Sequence, residues 1–339
     1  MKKLQKEFNN FLDQIKCDET SELREKRDKL TEDIKKDFPE LCSDYGIEVN
    51  KSDLQFFNQG SYIIGTAIHG KNIDIDYAMI IPLNIEEHDD PRSVKKAVRD
   101  CLLIENKRIP SIKEPCVTVS YHKDGDEYMH IDFPIYAKHE DVLYLGRGKE
   151  NSKEPKWEEA DPNGLKEHFL NAFKNKDQLK RLVMYIKKWK QIEYESSNNS
   201  NEVPPSIALT LLACKYFSEH TIGGDDDLSA LYYTMRNIKD AFEVTLNFDD
   251  EITKVDIECN LPVAPRTDVL YKMRKSDSHL VKFYKKLCSA VENLREAVNL
   301  SDEHEAAKHV VKVLSDEFEI PEKKARNAST HNKSEYNYG

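Results

Sequence analysis

Apolar residues change their spacing several times along the chain, and each change marks an element. Leu4, Phe8, Phe11, Leu12 and Ile15 recur at the three-and-four interval of an amphipathic helix over 3–16. A second helix is predicted to start at Thr20 or Ser21, either of which suits a cap. It runs to about Phe38, with Leu23, Leu30, Ile34 and Phe38 inward. The period then falls to two. Residues 53–58 predict a short strand, 61–69 a short helix and 74–81 a strand that stops at Pro82. Val94, Val98, Leu102 and Leu103 predict a helix over 91–104, with Pro91 in its first turn. Residues 116–122 and 128–136 alternate on either side of Lys123-Asp124-Gly125-Asp126, which has hairpin chemistry. Along the return strand Met129, Ile131, Phe133 and Ile135 share one face, while His130, Asp132 and Pro134 share the other.

Beyond this point the period is helical. Residues 146–164 are polar and Lys/Glu-rich with two prolines, and predict a crossing or linker. Helices are expected over 163–175 and through Leu179, Leu182, Val183, Ile186 and Trp189. After a polar loop at 195–202, Pro204-Pro205-Ser206 opens a helix that is apolar nearly all round, the pattern of a buried helix. A turn at 223–225 and helices near 227–242 and 277–299 follow. The expected division is a first lobe over 1–160, a helical lobe over 161–320 and a polar tail over 321–339. The fold class is therefore α+β: a mixed sheet with helices, then a helical C-terminal lobe, with a ligand cleft between the two.

Composition narrows the function. The chain has 339 residues, of which 39% are hydrophobic and 33% charged, so a sizeable core sits under a heavily charged surface. A net charge of −11 argues against broad duplex binding, which depends on Lys and Arg neutralising phosphates, and counts against long nucleic acids as partners. The 7 cysteines are scattered, with no C-x-x-C pair, as expected of reduced thiols. No apolar targeting core follows the charged amino terminus and no run of about 20 apolar residues occurs. The expected compartment is the cytoplasm, without a membrane anchor.

The chemistry concentrates between Gln59 and Asp76. Gly60-Ser61 is a turn that can offer N–H groups and a hydroxyl to a phosphate. Twelve residues (62–73) later come Asp74 and Asp76, whose carboxylates share one face of a strand. Asp132, on the polar face of a later strand, is the natural third member. Three carboxylates around two hard cations are what nucleotidyl transfer requires. Other patterns are weaker. Asp225-Asp226-Asp227 reads better as an acidic turn than as a cation site. Neither an H-x-x-x-H helix nor a G-x-x-x-x-G-K-[ST] loop occurs.

Gly60-Ser61, Asp74-Ile75-Asp76 and His130-Ile131-Asp132 resemble the polymerase-β-like nucleotidyltransferases. Within that superfamily the chain is most similar to the bacterial cyclic-oligonucleotide synthases, relatives of cyclic GMP-AMP synthase and oligoadenylate synthase. Three further segments fit the resemblance: Tyr185-Ile186-Lys187-Lys188-Trp189, Pro205-Ser206, and the Pro-containing stretch from Asn260 to Val269. In the first, Lys187 matches a phosphate-binding lysine two residues before an aromatic. In the second, Ser206 matches a hydroxyl that contacts donor phosphates. Ile207 departs from the pattern, which often has an aromatic there to stack on a base.

The resemblance implies a donor ATP, GTP or other NTP on Gly60, Ser61, Lys187 and Ser206. It implies two Mg²⁺ ions, replaceable by Mn²⁺, on Asp74, Asp76 and Asp132, with Asp132 also helping to deprotonate the acceptor hydroxyl. It further implies a cyclic di- or trinucleotide messenger that activates an effector in CBASS anti-phage defence, and conjugation by ubiquitin-transfer-like partners at Gly339. A linear oligonucleotide, RNA or small-molecule nucleotidyltransferase and an inactive scaffold of the same fold are the alternatives. The presence of all three carboxylates disfavours the scaffold.

Overall fold

The computed structural model describes residues 2–17, 20–70, 73–104, 107–123 and 126–323, the side chain of Asp126 excepted. Asp124 and Gly125 of the expected hairpin turn, and the tail ending at Gly339, lie outside the described residues.

Helix α1 (Gln5–Ile15) buries Phe8, Phe11 and Ile15, as its spacing requires. Helix α2 (Ser21–Ser43) is capped by the Thr20 hydroxyl, which accepts from the Leu23 N–H. It passes through Pro39 and ends five residues later than expected, because Cys42 as well as Phe38 is fully buried on the core side. Strand β1 (Gln55–Gln59) leads into α3 (Gly60–Ile63). This helix is a single turn where the sequence predicted one over 61–69. Gly65 takes a left-handed φ of 69° and ends it, and 67–69 then pair with 15–17 through His69 N–H to Ile15 O (2.7 Å) and Cys17 N–H to Ala67 O (3.1 Å).

Strand β2 (Ile73–Pro82) and helix α4 (Arg92–Leu102) match expectation. After β3 (Ser111–Ile112) come β4 (Cys116–Lys123) and β5 (Asp126–His139). The linker expected over 146–164 instead holds the end of β6 (Val142–Arg147) and all of β7 (Lys156–Glu159), and both strands extend the sheet. Leu143 and Leu145 pack on one face of the sheet, which Arg147 shares by period, and Trp157 packs on the other. The sheet runs β1-β2-β5-β4-β3, with β6 on the far half of β5 and β7 outermost. Strands β2 and β5 are parallel and the other pairs antiparallel.

The helices that follow are α5 (Pro162–Phe173), α6 (Asp177–Glu193), α7 (Ser206–Tyr216) and α8 (Asp227–Asp240). An exposed hairpin, β8 (Glu243–Leu246) and β9 (Ile252–Asp256), precedes α9 (Asp277–Asn299) and α10 (Glu303–Leu314). Neither the hairpin nor α10 was expected. Two large cores result. One lies under the sheet face that carries Ile75, Met79, Ile81, Ile131, Phe133 and Ile135, closed by α2 and α4. The other lies among the helices and includes the buried face of α1, which the sequence division had placed with the first lobe. None of the seven cysteines is in a disulfide. No helix among the described residues is long and apolar enough to cross a membrane.

The acidic turn has a structural role. Asp227 is fully buried and accepts from Arg181 Nε (2.7 Å) and Nη2 (2.8 Å), Gln178 and Tyr185, while its own N–H donates to Gln5. Asp226 caps α8 and Asp225 pairs with Arg181. The cluster ties α1, α6 and α8 together, consistent with the acidic-turn reading.

Candidate active site

The period-two alternation of β2 and β5 puts one face on the core and the other on the cleft. Parallel register sets Asp74 beside His130 and Asp76 beside Asp132. The three aspartates named from the sequence therefore come together on the cleft face. Strand β4 adds Thr118 opposite Asp132, and the Thr118 hydroxyl donates to Asp132 Oδ1. His130 lies between two carboxylates, with Nε2 3.0 Å from Asp74 Oδ1 and Nδ1 3.2 Å from Glu127 Oε1. The hydrogen bond to Asp74 raises the His130 pKa.

The Gly60–Ser61 turn packs onto this group. Gly60 has φ 73°, and a Cβ there would lie 2.1 Å from Asp76 Oδ2, so both the backbone and the space demand glycine. Gln59 accepts from the Tyr136 hydroxyl (3.2 Å), and the Ser61 carbonyl accepts from Thr66 N–H (2.9 Å). Burial and the neighbouring charges of Asp74 and Asp132 push the Asp76 carboxyl up to about 8. Burial also raises Asp132, with Asp74 adding to the shift and the Thr118 hydrogen bond opposing it. Clustered carboxylates that raise one another's pKa mark a site short of positive charge. One donor atom from each of Asp74, His130 and Asp132 lies within 4.8 Å of the others, a spacing that fits a metal ion.

Across the cleft, α6 and α7 supply cations and hydroxyls. A cavity of about 590 Å³ is lined by Ser61, Asp74 and Asp76 on the sheet side and by Lys187, Lys190 and Ser206 on the helical side. Asp132 sits beside Asp74 and His130 and is not among the lining residues. Lys187 is only 5% exposed, and its ammonium donates to Thr66 O (2.9 Å) and Thr66 Oγ1 (3.0 Å). Lys190 donates to Ser206 Oγ (2.7 Å). Burial lowers both lysines, Lys187 to about 7 and Lys190 to about 8, with the charge of Lys190 adding to the first shift. Pro205 occupies the cap position of α7 without a side-chain bond, so the Ser206 hydroxyl is free of capping and takes the bond from Lys190.

Leu261, Ala264, Pro265 and Thr267 bring the 260–269 segment to the same cavity, where Ala264–Pro265 is cis. Ile207 lines it too, at the position where the sequence lacked an aromatic. Sequence reasoning missed His130, Thr118, Thr66 and Lys190 as parts of the site. Lys190 follows Lys187 by three residues, on the same side of α6, and that spacing was a usable signal.

A parallel strand pair with three aspartates on its cleft face is the arrangement that the resemblance to polymerase-β-like nucleotidyltransferases implies. Residues 54–136 match the family model described as "Cyclic GMP-AMP synthase DncV-like, nucleotidyltransferase domain". The matched stretch holds the Gly60–Ser61 turn and all three aspartates, and the model describes the kind of nucleotidyltransferase that the chain's motifs resemble. The fold agrees over almost the whole chain. Vibrio cholerae DncV cyclic AMP-GMP synthase, a prokaryotic cGAS homologue, superposes with a TM-score of 0.69 at 15% identity, covering 94% of this chain and 98% of that one. The same enzyme in complex with nonhydrolyzable GTP gives 0.68 at 16% identity, with 94% and 97% covered. Escherichia coli DncV in its 3'-deoxy GTP bound form gives 0.69 at 15% identity, with 92% and 97% covered.

Proposed function

We propose that the chain joins nucleoside triphosphates and closes the product into a cyclic di- or trinucleotide. The observation that carries this reading is the register of β2 and β5, which gathers Asp74, Asp76 and Asp132 on the cleft face opposite Lys190 and Ser206. The donor triphosphate lies between the Gly60–Ser61 turn and the Lys190–Ser206 pair. Lys187 acts one step behind: it fixes Thr66, whose N–H holds the Ser61 carbonyl. Asp132, oriented by Thr118, is the group that takes the proton of the acceptor hydroxyl. Asp74, Asp76 and Asp132 would hold two Mg²⁺ ions, which lower the pKa of that hydroxyl and neutralise charge on the transferring phosphoryl group. The lobes divide near residue 160 in this reading. The product acts in the cytoplasm as a messenger for an effector in CBASS anti-phage defence.

The test is incubation with Mg²⁺ or Mn²⁺ and labelled NTPs, phosphatase treatment and separation of products. A phosphatase-resistant product that is absent from the D74N/D76N variant is expected. Phosphatase-sensitive chains alone would turn the reading to a linear polymerase. No NTP turnover with either metal would turn it to a binding scaffold.

A further inference from the structure

The cavity extends past the carboxylates onto a part of the sheet with no role so far. The β5–β6 register pairs Tyr136 with Leu145, and the β6–β7 register pairs Leu145 with Glu158 and Arg147 with Lys156. Alternation therefore puts Leu145, Arg147, Lys156 and Glu158 on the same face as His130, Asp132 and Tyr136. Arg147 and Glu158 line the cavity, with Tyr136, Leu145 and Ala160 as its apolar floor. Strand β6 runs antiparallel to β5, so Arg147 turns back toward Asp132. It ends about 7 Å from Asp132 along the strands and roughly one strand spacing across. That is the reach of a nucleoside whose sugar or phosphate sits at the carboxylates.

The charge pattern is more than a surface ion pair needs. Arg147 Nε lies 2.9 Å from Glu158 Oε2, and Lys156 Nζ lies 2.8 Å from Glu158 Oε1. Two cations share one carboxylate, so Lys156 alone would neutralise Glu158 and the Arg147 charge is surplus. The Nη1 and Nη2 groups of Arg147 donate no hydrogen bond among the described residues, and its side chain is 24% exposed, within reach of a ligand. The hairpin is also anchored from behind. The buried Lys95 ammonium donates to the carbonyls of Gly148 (2.9 Å), Lys113 (2.9 Å) and Glu114 (2.7 Å). Trp157 Nε1 donates to His88 O (2.8 Å). A fork held this firmly pays little entropy on binding.

We infer that Arg147 and Glu158 select a guanine base, a specificity role that rests on the nucleotidyl-transfer reading above. Two parallel N–H groups of an arginine fork match guanine O6 and N7. Next to O6 the guanine ring carries N1–H, a donor for the adjoining Glu158 carboxylate. Adenine offers N7 to the fork but sets its own N6–H₂ donors against it, and it has no N–H at N1.

The test uses the full chain with Mg²⁺ and measures kcat/KM for GTP and ATP, together with equilibrium binding of nonhydrolysable GTP and ATP analogues. The R147K variant keeps the charge and the ion pair but loses the fork, and E158Q keeps the shape but weakens the acceptor. Both are expected to melt within a few degrees of wild type and to lower the GTP:ATP ratio by about tenfold to a hundredfold. A stabilising ion pair alone would be satisfied by R147K and leave the ratio unmoved. An unchanged ratio in both variants, or a wild-type enzyme that prefers ATP or a pyrimidine triphosphate, overturns the inference while the nucleotidyl-transfer reading stands. No binding or turnover of any NTP overturns both.

Discussion

Gly60→Ala separates backbone strain from damage to the carboxylates. At φ 73° an alanine costs about 1–2 kcal/mol relative to glycine. The added Cβ would also stand 2.1 Å from Asp76 Oδ2, and real contacts of this kind do not fall below 3.0 Å. Either the carboxylate or the turn carrying Ser61 must therefore yield by about 0.9 Å (3.0 minus 2.1). Displacements near 1 Å in a reacting site lower rates by about 10²-fold. Gly65→Ala supplies the control. Gly65 has nearly the same φ, 69°, and nothing lies within 4 Å of the Cβ position, so it carries the strain without the displacement.

Thermal melting and initial rates of NTP consumption decide the matter together. Both variants should melt a few degrees below wild type, since about 1 kcal/mol moves Tm by roughly 2–4 °C in a chain of this size or somewhat smaller. Only G60A should lose about a hundredfold in kcat. Equal activity in G60A and G65A would refute the argument, because it would show that the position of Asp76 against the turn does not matter to the reaction.

Three further outcomes are expected. Thr118→Val removes the hydroxyl that orients Asp132 without changing shape, and should lower kcat by about 10–100-fold with little change in Tm, read by steady-state kinetics. Lys187→Met should chiefly destabilise, by about 1–3 kcal/mol in denaturant titration, because it strands the buried Thr66 carbonyl and hydroxyl; Lys190→Met should chiefly raise the KM for NTP. In metal-free protein the raised Asp76 carboxyl binds its proton more tightly when folded than unfolded, so its contribution to stability falls as pH rises from about 4 to about 8. D76N should then be more stable than wild type at pH 8, on the order of 1–2 kcal/mol, with the advantage vanishing near pH 4. Added Mg²⁺ should raise the wild-type Tm more at pH 8 than at pH 6.

Much of the carboxylate-bearing face was legible because it obeys local rules. Asp74 and Asp76 share a face by period alone, and Asp132 lies on the polar side of a strand whose other side is Met129, Ile131, Phe133 and Ile135. Two features hid the rest. Strands β6 and β7 carry Lys, Arg and Glu on the cleft face, so polarity that signals a linker in a solvated segment here belongs to the wall of a cavity. Contacts between distant elements, such as Thr118 to Asp132 and Lys187 to Thr66, leave no spacing signature at all. Helix α10 is a different case. Its Asp302 cap and its Ala306, Val310, Val313 and Leu314 stripe are a readable pattern that was passed over.

The placement of Lys187 changes how the two lobes relate to the chemistry. A lysine matched to phosphate binding instead spends its ammonium on Thr66, and Thr66 N–H holds the Ser61 carbonyl. The same stretch is tied at its far end to α1 through His69 N–H and Ile15 O, and α1 is packed in the helical core. The Gly60–Ser61 turn is thus pinned by α6 and α1 as well as by the strand it follows. Any shift of the helical layer against the sheet would move Ser61 relative to Asp74 and Asp76 as well as open or narrow the cleft. Lys190, paired instead with the Ser206 hydroxyl, takes no part in that support.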